Sequence, residues 1–182
     1  ADTLLSNLNI IPFEGATDTR QLYREAKLMQ CIAAMKSRKY KKALFFIHSA
    51  KAWPENLGIG KPYREDIDER LEDWLTYECD MKLGNTMEAQ RILQDIIAFI
   101  PKKENATADF SPANTLISAW ALEKINKKEE ATRLLNEWQQ KNPADKSARW
   151  ARGVFENHRV PATPEITKED ESIRILEALL SQ

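Results

Sequence analysis

A small residue recurs in three apolar stretches of this sequence, each time with a large apolar residue four positions later and a proline beyond it. The three sets are Ala43, Ile47 and Pro54; Ala89, Leu93 and Pro101; and Ala131, Leu135 and Pro143. Residues four apart lie on one face of an α-helix, a small side chain there lets a second helix approach closely, and proline ends a helix. The pattern therefore predicts the second helices of stacked helical hairpins that share one core.

Start and stop signals for helices divide the chain further. Asp18 begins a capping pattern, Gly84 can close a helix in the left-handed conformation, and Pro112 suits a first helical position. A helix is also predicted to begin near Asp66, and no segment alternates in the manner of a strand. We expect one all-α domain over 1–182, a right-handed superhelical stack with hairpins at 17–54, 64–101 and 111–143, a capping pair at 144–182 and an extended N-terminal segment at 1–16.

The first predicted helix has apolar residues in two neighbouring rows, which is helical spacing over a wide apolar face. One row includes Leu22 and Met29, and the other includes Leu28 and Ile32. At the other end of the chain, residues 164–182 carry an amphipathic pattern, and we expect a helix there to cap the stack.

These features carry a resemblance. Over about residues 20–157 the chain resembles tetratricopeptide repeat proteins, whose unit is a helical hairpin of about 34 residues with small residues at such positions. It departs from that family because its marker alanines lie 46 and 42 residues apart, and because Tyr77 stands where a small residue is expected.

A second resemblance is carried by IIPFEGATDTRQLYREA and WPENLGIGKPYREDIDERLEDWL. Both stretches are similar to the C-terminal repeat region of long bacterial proteins that contain a domain of unknown function. In those proteins the repeats follow a β-rich domain reminiscent of sugar-binding mutarotases. The resemblance implies that the chain is the C-terminal part of a longer protein, and it brings no established activity.

The glycine-rich stretch WPENLGIGKP raises the question of a phosphate-binding loop, because it ends near Gly60 and Lys61. Such a loop needs a glycine five residues before the Gly-Lys pair and a hydroxyl residue after it. Glu55 and Pro62 occupy those two positions here. We interpret the stretch as a folded connection between helices, with the alternative that it shapes a binding pocket.

The stretch REDIDERLEDW is dense in carboxylates, namely Glu65, Asp66, Asp68, Glu69, Glu72 and Asp73. A metal site is not favoured, because the stretch lacks the spacing of a calcium loop and no histidine lies nearby. We expect these acids to begin a helix and to pair with Arg64 and Arg70 on a solvated face.

The chain's charge and chemistry narrow the class of partner. Its 27 basic and 28 acidic residues give a net charge of -1, so neither nucleic-acid binding nor attraction to an anionic membrane is expected. No apolar run is long enough to insert in a membrane. Cys31 and Cys79 are expected to be buried thiols, and His48 and His158 fit no catalytic signature. We predict a noncatalytic protein without a cofactor or a metal, and the compartment stays undetermined, with the cytoplasm favoured.

The tetratricopeptide resemblance implies a concave groove lined by the first helix of each hairpin. Its apolar floor and lysine edge suit an amphipathic helix or an extended peptide, and the alternative is that Trp74 and Trp120 belong to the core. The occupant could be another protein, another domain of a parent protein, a second copy, or this chain's own N-terminal segment or 53–65 loop. The candidate groove residues are Leu28, Ile32, Met35, Lys36, Trp74, Glu78, Met81, Lys82, Leu116, Trp120, Glu123 and Lys124.

Overall fold

The computed structural model describes residues 5, 7–11, 17–58, 60–63, 67–100, 112–157 and 170–181. These residues contain no strand, so the predicted all-α class is confirmed for the described part of the chain. The helices are α1 (Thr17–Lys36), α2 (Tyr40–Ala50), α3 (Arg70–Leu83), α4 (Thr86–Ala98), α5 (Pro112–Lys124), α6 (Lys128–Lys141), α7 (Lys146–Asn157) and α8 (Glu171–Leu180), with a 3-10 turn at Glu55–Leu57.

Three helical hairpins are closed by residues in the left-handed conformation. Arg38 (φ 57°) follows α1, Gly84 (φ 82°) follows α3, and Asn126 (φ 63°) follows α5. A left-handed residue ends a helix and redirects the chain within a few residues. Consequently α1 packs on α2, α3 on α4, and α5 on α6, and the predicted role of Gly84 is confirmed.

Successive hairpins contact one another through a continuous core. Helix α2 packs on α3, α4 on α5, and α6 on α7. The marker residues Ala43, Ala89 and Ala131 are completely buried in this core. Because an alanine projects only a methyl group, the helices that pack against these positions can approach closely.

Helix α3 begins four residues later than predicted. Residues 67–69 are not helical, α3 starts at Arg70, and Asp66 lies outside the described residues. The Asp68 carboxylate accepts a hydrogen bond from the Arg70 backbone N–H at 3.1 Å. The side chain of Asp68 thereby satisfies an amide in the first turn of α3.

The predicted wide apolar face of α1 is only half buried. Leu28 and Ile32 belong to the core, whereas Leu22 is 55% exposed and Met29 is 43% exposed. Helix α1 makes its main contacts with α2 and α8. These neighbours cover the Leu28 side of the helix, so the Leu22 and Met29 side of the wide apolar face is partly exposed to solvent.

The glycine-rich stretch holds part of the N-terminal segment. The side-chain amide of Asn56 donates to the backbone carbonyl oxygens of Leu5 (3.1 Å) and Leu8 (2.7 Å). The backbone carbonyl of Asn56 accepts a hydrogen bond from the Ile10 N–H at 2.8 Å. Gly58 has a φ of 71°, and a Cβ at this position would lie 2.6 Å from the Ile10 carbonyl oxygen. The glycine therefore permits both a left-handed turn and a close backbone approach.

Candidate functional site

The C-terminal helix α8 covers much of the face on which a groove was expected. It packs on α1 and α5, the first helices of the first and third hairpins. Its residues Ile173, Ile175 and Leu176 are completely buried, as are Leu28 on α1 and Leu116 on α5. The last helix therefore lies over the first helices of the first and third hairpins.

Polar contacts near both ends of α8 tie it to α1. Arg24 pairs with Glu171, the Arg174 guanidinium pairs with Glu25 at 2.8 Å, and the Lys36 ammonium donates to the Ser181 carbonyl oxygen at 2.7 Å. The contacts advance along both helices in the same order, from 24 to 36 and from 171 to 181. Helix α8 therefore runs parallel to α1, and its position along α1 is fixed near both ends.

A buried ion pair connects the same end of α8 to the second hairpin. Arg24 contacts Glu72 on α3 with Nε–Oε1 at 2.6 Å and Nη2–Oε2 at 2.9 Å. Burial alone would raise the pKa of Glu72, but the adjoining Arg24 guanidinium outweighs that effect and holds the pKa below its ordinary value. The carboxylate is therefore ionised and paired inside the protein, at a junction of three helices.

A second buried polar cluster joins α3 to α5. Arg70 pairs with Asp68 at 2.6 Å, and its Nη1 donates to the Ser118 hydroxyl at 2.8 Å. Asn114 donates to the same Asp68 carboxylate at 2.8 Å. Arg70 and Glu72 are both buried, so the prediction of a solvated acidic face is wrong for them, and Arg64 lies outside the described residues. Sequence alone did not reveal that these charges join hairpins.

One part of the expected groove remains open beside α8. A pocket of about 340 Å³ lies between α3, α5, α7 and α8. The rings of Trp74 and Trp120 lie 5.4 Å apart at its base, tilted by 32°, and only 5% and 8% of these residues are exposed. The lining residues are Trp74, Glu78, Trp120, Glu123, Lys124, Val154, Leu179 and Leu180.

The structure thus divides the candidate groove residues into groups. Trp74, Glu78, Trp120, Glu123 and Lys124 meet at the pocket. Of the others, Ile32 is buried, Met35 packs partly buried against the core, Met81 is 43% exposed and Lys82 is exposed. Val154, Leu179 and Leu180 were not among the candidates. The amphipathic pattern of the last helix signalled an apolar stripe, but it does not indicate which surface that stripe meets.

The two cysteines are free and completely buried, as predicted. Burial raises the pKa of Cys31 to about 12 and, likewise, the pKa of Cys79 to about 12. Each thiol therefore stays protonated at neutral pH, where a nucleophilic cysteine needs to be a thiolate.

The described residues contain no group of three or more histidine, cysteine, aspartate or glutamate residues arranged to hold a metal ion. His48 is exposed on α2, and His158 lies outside the described residues. Among the described helices, none has both the length and the apolar character that crossing a membrane requires.

Comparisons of the chain with models of known protein families, with curated protein sequences and with solved structures find no match. The resemblance to tetratricopeptide proteins and to the bacterial family therefore stays a prediction. The assignment of a function rests on the pocket and on the helix beside it.

Proposed function

We propose that this chain is a noncatalytic protein-interaction or scaffolding module. Its hairpins form a right-handed, tetratricopeptide-like stack, and a segment of a partner protein inserts a side chain into the pocket between α3, α5, α7 and α8. The partner segment belongs either to another protein or to another domain of a longer parent protein. The observation that carries the proposal is the solvent-accessible pocket above Trp74 and Trp120.

The pocket has the composition of a protein-binding hot spot. Tryptophan and leucine side chains line it together with charged side chains. Hot spots of protein interfaces are enriched in tryptophan and are typically surrounded by polar residues that exclude water. A pocket of about 340 Å³ is also within the range of ligand sites, roughly 300–1,000 Å³.

The packing of helix α8 supports the proposal, because α8 is itself an amphipathic segment packed on the surface beside the pocket. It is an amphipathic helix of ten residues that packs with an apolar face on α1 and α5 and is held by charged residues in its first turn. Such a helix lying on an apolar helical surface is one of the recurring modes of peptide recognition. The surface around the pocket therefore suits a partner segment with one apolar face and charged residues beside that face.

A peptide selection tests this proposal. Random peptides displayed on phage are selected on the full chain and then tested on Leu180→Trp, which fills the pocket with a larger apolar ring. Met87→Trp on α4 is the matched control, because Met87 is exposed and does not line the pocket.

We expect the selected peptides to bind wild type and Met87→Trp alike and to bind Leu180→Trp at least about tenfold more weakly, as for loss of one hot-spot contact. Circular dichroism checks that both variants remain helical. If no selected peptide distinguishes Leu180→Trp from the wild type, the pocket is not the binding site and the proposal fails.

A further inference from the structure

We infer that the pocket takes an arginine side chain of the partner protein, with the guanidinium group at Glu78 and Glu123 and the methylene stem against the apolar wall. This inference rests on the proposed function and specifies its ligand. It follows from the charge at the rim, the apolar character of the walls, and the way in which the chain binds its own arginines.

The rim of the pocket carries more negative than positive charge. Glu78 and Glu123 line it together with one cation, Lys124. Within the described residues Glu78 has no ion-pair partner, and the half-buried Glu123 is paired only with the ammonium of Lys128 at 3.5 Å. Lys128 is 69% exposed, so this pair is weak. A cation entering the pocket would therefore meet one unpaired carboxylate and one weakly paired carboxylate.

The walls suit an aliphatic stem. Leu179 and Leu180 of α8 and Val154 of α7 form one side, and the two tryptophans form the base. Long basic side chains bury their methylene groups on such surfaces while the charged head reaches a polar edge. A short polar side chain would leave the apolar wall uncovered, and a purely apolar one would leave Glu78 without a partner.

Aromatic rings already hold two arginines within this chain, and one of the two also pairs with a carboxylate. The Arg20 guanidinium carbon lies 4.7 Å from the ring centre of Trp53. The Arg70 guanidinium carbon lies 5.2 Å from the ring centre of Phe99 and pairs with Asp68. Arginine suits such sites better than lysine, because its planar group can stack on a ring and bind a carboxylate at two points. The pocket offers these two components without an arginine.

Two small molecules that differ only in charge test the inference on the full chain. N-acetyl-arginine methylamide and its neutral citrulline analogue are titrated while the tryptophan indole signals are followed by nuclear magnetic resonance. We expect the arginine compound to shift the signals of Trp74 and Trp120 and to bind about three- to fivefold more tightly than the citrulline compound. Glu78→Gln should remove most of that preference, and Glu123→Gln should reduce it.

The matched control is Glu129→Gln, because Glu129 is exposed on α6 and does not line this pocket. It should leave the preference for arginine unchanged. Equal binding of the two compounds, or a preference that survives both Glu78→Gln and Glu123→Gln, would overturn the inference.

The phage-selected peptides separate failure of the inference from failure of the proposed function. If they depend on the pocket but bind equally well after each arginine is replaced by citrulline, the ligand assignment is wrong and the interaction module stands. If neither small compound shifts the indole signals and no peptide distinguishes Leu180→Trp, both proposals fail.

Discussion

The guanidinium group of Arg24 and the carboxylate of Glu72 form a two-point ion pair in the interior of the protein. The two contacts measure 2.6 and 2.9 Å, and the side chains are 11% and 1% exposed. Arg24 also reaches Glu171, so one arginine links the first hairpin, the second hairpin and the C-terminal helix. A charge buried in this way depends on its partner, because a lone charge is costly in a protein interior.

Replacing Glu72 by glutamine should therefore lower the free energy of unfolding by about 3–5 kcal/mol, the usual cost of breaking a buried pair. Urea unfolding followed by circular dichroism measures the change. Glu88→Gln is the control, because Glu88 pairs with Arg91 on an exposed face and should have no measurable effect. Equal losses in the two variants would contradict the role given to Arg24.

Gly58 gives a prediction about the N-terminal segment. Gly58→Ala combines the strain of a left-handed residue with a close contact between the new Cβ and the Ile10 carbonyl oxygen. Gly84→Ala has the same backbone strain, but a Cβ there would meet open space. We expect Gly84→Ala to cost about 1–2 kcal/mol and Gly58→Ala to cost about 1–3 kcal/mol more. Removing residues 1–11 should abolish the difference in urea unfolding. A difference that persists without those residues would show that Ile10 is not its cause.

Some helix boundaries could be predicted from the sequence, whereas the buried ion pair could not. Gly84 and Pro112 lie at helix boundaries by their own backbone chemistry, so those boundaries were predictable. Arg24 and Glu72 are 48 residues apart, and a buried charged residue has the same local pattern as an exposed one on a polar helix face. Sequence therefore predicts the hairpins, but it does not predict the charges that join them.

The candidate site was predictable to a similar extent. Helical spacing placed Trp74 and Trp120 on neighbouring first helices, and their rings do meet. That α8 covers the adjoining surface was not predictable, because an amphipathic pattern defines an apolar face but not its partner. The same helix contributes Leu179 and Leu180 to the pocket.

Helix α8 should stabilise the fold through its buried face, which includes Ile175, and contribute to binding through its C-terminal end, which includes Leu179. Ile175 is completely buried, whereas Leu179 is half-buried and lines the pocket. Ile175→Ala should lower the free energy of unfolding by about 2–5 kcal/mol, and Leu179→Ala by about 1 kcal/mol. Urea unfolding of both variants checks this order. The reverse order would show that α8 does not pack on α1 and α5 through Ile175.

The buried thiols predict a loss of stability in alkali. The pKa of Cys31 rises from 9.0 to about 12 on folding, so above pH 9 the unfolded chain releases this proton while the folded protein keeps it. Ionisation then favours the unfolded state by about 1.4 kcal/mol per pH unit. Between pH 9 and 10.5 the free energy of unfolding of Cys31→Ala should fall less steeply than that of the wild type. The difference in slope should be about 1.4 kcal/mol per pH unit. Parallel slopes would mean that the Cys31 thiol already ionises in the folded protein.

The central claim, that a partner segment binds at the pocket beside α8, is tested most directly by indole resonances. The chain contains five tryptophans, of which Trp74 and Trp120 line the pocket. Trp53 and Trp138 do not line it and serve as internal controls. The full chain is titrated with a phage-selected peptide, and each indole signal is assigned by substitution with phenylalanine. We predict shifts for Trp74 and Trp120 with little change at Trp53 and Trp138, and shifts confined to Trp53 or Trp138 would contradict binding at the pocket.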